Sequence, residues 1–147
     1  MKKGTFIFSA LLIVIAFTAV AFKPVQSNNV VWTQLVQMDA TQAGSTSESK
    51  GFVIFRLTSD MELTYKITVQ NTDDGDVLTN AHIHTGAAGV DGPPVIFLAA
   101  GVANINRFQT VQLTTVQYNL LLNENQSLYV NVHSHDYPGD SIRGQIR

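Results

Sequence analysis

Apolar residues recur at every second position through most of this chain, and that alternation predicts its elements. Leu63, Tyr65, Ile67 and Val69 alternate with Glu62, Thr64, Lys66, Thr68 and Gln70. This is the pattern of a strand with one face buried and one in water. The run Gly51 to Leu57 precedes it, and Thr58-Ser59-Asp60 joins the two as a hairpin. Val30, Trp32, Val36 and Met38 share one phase of an earlier strand, with Gln34 breaking it. Val77 to His84, Val95 to Leu98, Phe108 to Val116, Leu128 to His135 and Ser141 to Arg147 complete the strand candidates. Ala40 to Lys50 and Thr85 to Pro94 are rich in Gly, Ser, Thr or Pro and predict loops; Tyr118 to Asn125 predicts one helical turn or a bend. Beyond the N-terminus no 3.6-residue period is sustained. The expected fold is all-β: an antiparallel immunoglobulin-like sandwich or Greek-key barrel of about 7–9 strands.

The N-terminus departs from this pattern. Lys2 and Lys3 are followed by an uncharged stretch from Gly4 through Phe22, with Ala10 to Phe17 as its apolar centre and Ala19-Val20-Ala21 as a small-residue cleavage signal. That layout predicts a signal peptide over residues 1–21, and with it a secreted, periplasmic or cell-surface location. The run is near the lower limit of about 17–25 residues for a membrane span, so membrane attachment is expected only through an uncleaved leader. Residues 22–29, with Pro24, Gln26, Ser27 and two Asn, read as a short tether, and residues 30–147 as one β domain.

Composition narrows the chemistry. The chain has no cysteine, which excludes disulfides, thiolate metal sites and cysteine nucleophiles. Its formal charge is −2, and charged residues are 14% against the roughly 25% usual for soluble domains. There is no basic, aromatic-studded surface for nucleic acid.

Any metal site must therefore be built from imidazole and carboxylate. The four histidines fall in two pairs, His82-Ile83-His84 and His133-Ser134-His135. In a strand, residues i and i+2 share a face and stand about 7 Å apart along the chain. Ala81 and Ile83, like Leu128, Val130 and Val132, take the core phase. All four imidazoles then lie on the less apolar faces, where His82, His84, His133 and His135 form a candidate zinc or copper set if the two strands are neighbours. Surface histidines with no role are the competing reading.

The closing hairpin is constrained by phase. Matching Val130 and Val132 with Ile142 and Ile146 demands an odd loop, and a turn centred on Pro138 sets His133 across from Arg143 and Asn131 across from Gln145. A guanidinium there repels a cation, so an acid such as Asp136 or Asp140, or a bound anion, is expected to balance it. The same face offers Arg143 as a bidentate donor to a carboxylate, with Asn131 and Tyr129 beside it as a ligand-binding set.

These residues carry a family resemblance. His82-Ile83-His84-Thr85-Gly86, then Gly89, Gly92-Pro93 and Leu98, resembles the His-Ile-His…Gly…Gly-Pro segment of the chordin domain family. Leu128-Tyr129-Val130-Asn131-Val132-His133, then Pro138-Gly139 and Ile142-Arg143-Gly144-Gln145-Ile146, resembles that family's ending, and Gly51 to Phe55 fits its N-terminal half. The resemblance runs from Val31 to Arg147 and implies an extracellular all-β domain. Two departures matter. Asp140-Ser141 stands where the family pattern has Gly-Glu, and His135 is outside the pattern, which leaves His82, His84 and His133 as the three-ligand core of the candidate set.

Two functions follow as expectations. One is a secreted or periplasmic binding module, without catalysis, that engages an extracellular ligand or protein. The other is a copper- or zinc-binding protein, with superoxide dismutase-like redox chemistry as its furthest extension. Ser134 between two histidines faces the other side of its strand and has no nucleophile elbow around it, so hydrolase chemistry is not expected.

Overall fold

The computed structural model describes residues 29–70, 75–98 and 101–147. The leader over 1–21 and all but the last residue of the tether lie outside the described residues. Among the described residues eight strands are present: β1 (Val30–Asp39), β2 (Lys50–Thr58), β3 (Glu62–Gln70), β4 (Leu78–Thr85), β5 (Pro94–Phe97), β6 (Phe108–Gln112), β7 (Leu128–Ser134) and β8 (Ile142–Gln145). They form one antiparallel sheet in the order β5-β4-β7-β8-β1-β2-β3-β6, curled into a half-barrel.

The alternation explains the curl. Val53, Phe55 and Leu57 of β2, Leu63, Tyr65 and Ile67 of β3, and Ile83, Val130, Val132 and Ile142 from the other half all enter one buried cluster. Each large side chain buried this way contributes about 1.5–3 kcal/mol, against about 1 kcal/mol net for a ladder hydrogen bond. Burial of that inner face is therefore the stronger drive to close the sheet. β8 fits against β1 because Gly144 has no side chain: a Cβ there would lie 2.3 Å from the Gln37 carbonyl oxygen.

One short helix forms where a loop is expected, and a longer one extends the helical turn or bend expected at Tyr118 to Asn125 back into the end of an expected strand. Asp39 caps α1 (Ala40–Ala43), accepting from the Gln42 backbone N–H at 2.7 Å, and Gly44 closes it in a left-handed conformation. The strand expected through Val116 stops at Gln112, and α2 (Thr115–Leu122) begins behind a capping box of Thr114 and Gln117. α2 buries only Leu121 and leaves Val116 exposed, which is why no helical period marks it in the sequence. Gln117 Nε2 donates to the Val95 carbonyl at 2.8 Å, so α2 shields edge strand β5.

The β7–β8 register also differs from the expected one. Asn131, not His133, faces Arg143, and Tyr129 faces Gln145. The strand ends at Ser134, whose N–H donates to the Tyr137 carbonyl at 3.2 Å, while His135 N–H donates to the Val77 carbonyl at 2.9 Å. That turn consumes the residues that the tighter hairpin would have paired. The shift is by two, so the core phase is kept.

The largest departure concerns the outer face of β4, β7 and β8. The segment 86–93 folds back over it, and Arg143 is 2% exposed, Asn131 1%, Tyr129 2% and His84 8%. This half of the sheet is buried on both sides, with a polar layer outside the apolar core.

Candidate functional site

Pairing of β4 with β7 brings the histidines together. His82 faces Asn131 and His84 faces Tyr129, and His133 lies one diagonal step from His82 on the same face. His82 Nδ1 is 3.0 Å from His133 Nε2. One ring nitrogen each from His82, His84 and His133 lies within 4.8 Å of the other two. His82 is wedged among neighbours, with the Phe97 ring edge-on at 4.9 Å and His84 at 5.5 Å between centroids.

Backbone carbonyls fix how the rings are turned. His84 Nδ1 lies 2.8 Å from the Gly92 oxygen, and His133 Nδ1 lies 3.0 Å from the Pro138 oxygen. A carbonyl only accepts, so each Nδ1 carries a proton and each neutral ring keeps its lone pair on Nε2. His133 Nε2 faces both His82 Nδ1 and Asn131 Nδ2, each at 3.0 Å. His84 Nε2 is buried and has no hydrogen-bond partner. Burial, then the neighbouring His133 and His84, push the His82 pKa down to about 4, so His82 is a neutral donor at neutral pH.

The residues around the triad hold it in place. The Tyr129 ring stacks on His84 at 4.8 Å, and its hydroxyl accepts from the Gly92 N–H at 3.3 Å. Arg143 donates to Asp91 at 3.1 Å and to the Ala87 and Val90 carbonyls at 2.8 and 3.0 Å. Its guanidinium fastens the 86–93 segment to the sheet. Asn131 Nδ2 also donates to Asp140, whose carboxyl is pushed up by burial and lies 3.9 Å from His133 Nδ1.

The structure thus brings together three of the four expected histidines. The side chain of His135 is 82% exposed and bonds Asp136 at 2.8 Å, which raises its pKa. It rims a shallow depression shared with His82 and His133 but stands apart from the triad. Arg143, Asn131 and Tyr129 lie beneath the 86–93 segment, where they orient the histidines and their carbonyl partners. Sequence reasoning missed the Gly92 and Pro138 carbonyls. Side-chain identity carries no trace of a backbone acceptor, and the Gly-Pro pairings read only as turns.

The profile of the CHRD domain matches residues 27–146. No curated protein and no solved structure matches the chain.

Proposed function

Because the chain belongs to the CHRD domain family, we propose that it is an extracellular β-sheet binding module that holds a copper or zinc ion on His82, His84 and His133. The leader pattern over residues 1–21 supports export. Among the described residues no helix is long and apolar enough to cross a membrane.

The observation that carries the metal reading is the His84 Nε2 lone pair, buried without a partner beside two further imidazoles. An unsatisfied buried polar atom costs about 1–3 kcal/mol, and a metal ion relieves that cost. The spacing also suits an ion: two nitrogens at 2.0–2.1 Å from a tetrahedral zinc are about 3.3 Å apart, and His82 Nδ1 and His133 Nε2 lie 3.0 Å apart in a hydrogen bond whose proton would move to His82 Nε2 when an ion takes its place. Metal-bound histidines characteristically donate their other N–H to a carbonyl or carboxylate, as His84 and His133 do to Gly92 and Pro138. Imidazole sets accept either copper or zinc.

The test is metal content of protein purified without a His tag or chelator, followed by zinc and copper titration. Near one ion per chain is expected, with loss of binding in the His82→Ala/His84→Ala double variant. A folded parent that binds neither metal overturns the reading, as does a double variant that binds like the parent.

A further inference from the structure

We propose that an ion on the His82–His84–His133 triad keeps one coordination position open to the adjoining cavity, where Asp140 and Asn131 hold a small exchangeable protonated ligand such as water. This inference rests on the metal reading above.

Three donors converge among the described residues and no fourth joins them. Among the described residues, the group of potential ligand atoms lying within 4.8 Å of one another consists of His82, His84 and His133 alone. Asp140 is the nearest carboxylate recorded at the triad, but it approaches His133 at Nδ1, 3.9 Å away. That nitrogen is turned to the Pro138 carbonyl rather than to the other imidazoles. Asp140 is thus placed to reach a ligand of the ion, not the ion. Three-imidazole zinc sites fill the fourth position of their tetrahedron with a solvent molecule.

Space for that ligand is present. A cavity of about 320 Å³ is lined by His84, His133, Tyr129, Asn131, Gly92 and Asp140, among others. A water molecule occupies about 30 Å³ of liquid, so the cavity admits a small ligand and several waters. Two atoms of its lining residues are buried without a partner, His84 Nε2 and Asn131 Oδ1. The first is a metal donor. The second is an acceptor on a residue that is 1% exposed, and a protonated ligand satisfies it. His133 also borders the depression lined by His82 and His135.

Azide is the probe, added to the copper(II)-loaded full chain and followed by electron paramagnetic resonance. Azide is expected to perturb the spectrum. Pulsed measurements in deuterium oxide are expected to show an exchangeable water at the ion, lost in Asn131→Leu. In Asp140→Asn, azide is expected to bind about tenfold tighter, because one like charge leaves the cavity. Stoichiometric copper with a spectrum indifferent to azide and no exchangeable water overturns this inference and leaves the metal reading intact. An azide response equal in Asp140→Asn and the parent removes Asp140 from the ligand's surroundings and overturns the inference as stated. A folded chain that takes up no copper overturns both.

Discussion

The guanidinium carbon of Arg143 lies 3.4 Å from the centroid of the Tyr129 ring, the same ring that stacks on His84. A cation on an aromatic face is worth about 0.5–2 kcal/mol, more when desolvated. Here it also ties a strand-borne aromatic to the segment that carries Gly92. Arg143 therefore acts on the triad through Tyr129 and through the 86–93 segment, not by touching it. Arg143→Ala strips two backbone carbonyls and a ring of their partner and is expected to cost about 2–4 kcal/mol. Asp91→Ala is expected to cost less than about 1 kcal/mol, because the Asp91 side chain is 92% exposed. Urea denaturation of the two variants checks the contrast, and equal losses would show that the ion pair, not the carbonyl bonds, is what counts.

Gly92 is a second control point. A Cβ at this position would lie 1.7 Å from the Thr85 carbonyl oxygen, so the backbone must move. Movement takes the Gly92 carbonyl away from His84 Nδ1. Gly92→Ala is expected to lose about 1–3 kcal/mol of stability and about 10–100-fold in zinc or copper affinity. Calorimetric titration of the folded variant reads the second effect; unchanged affinity would remove the carbonyl from the site's design.

The depressed pKa of His82 makes the metal-free protein acid-sensitive. Its folded value is about 4 against an ordinary 6.5 for histidine. Between those values the unfolded chain binds the proton and the folded chain does not, so stability is present in full above about 6.5 and falls as pH drops toward 4. Asp140 runs the other way: its raised pKa means stability is gained as its carboxyl protonates. Thermal melts of the parent and His82→Asn from pH 7 to 4 separate the two. The parent's Tm is expected to fall more steeply, and parallel curves would refute the assignment to His82.

Metal binding is expected to raise the unfolding free energy by about 2.7 kcal/mol at a hundredfold excess over Kd. His135→Ala is expected to keep that gain, since its ring points to Asp136 at 2.8 Å and stands outside the triad. His84→Ala is expected to abolish it. Melting curves with and without zinc check both, and loss of the gain in His135→Ala would bring that residue into the site.

Much of the fold was legible because its signals are local. The alternation in β3 and β7 gave the faces correctly, since one buried face fixes side-chain phase. The two His-X-His pairs gave the candidate site, once β4 and β7 proved to be neighbours. What escaped depends on distant or backbone groups. The outer face of β4 and β7 reads as polar, yet it is roofed by residues 86–93 through Arg143, a contact between segments more than 50 residues apart. The hairpin slip came from backbone bonds at Ser134 and His135. Of the α2 helix only a turn or bend at Tyr118 to Asn125 was legible; its start behind the Thr114–Gln117 capping box was hidden by its weak periodicity.

The neighbour of β1 on one side is β8, where Asp39 pairs with Arg143 and Gly144 permits close packing. The middle of the sheet is thus a seam between its first and last strands. Until β8 emerges, the chain holds only two separate half-sheets, β1-β2-β3-β6 and β5-β4-β7. Contacts of such long sequence separation form slowly. The two half-sheets lock together only when β8 pairs with both β7 and β1. Because Arg143 sits on that strand, the same event roofs the histidines, so assembly of the site is timed to completion of the fold.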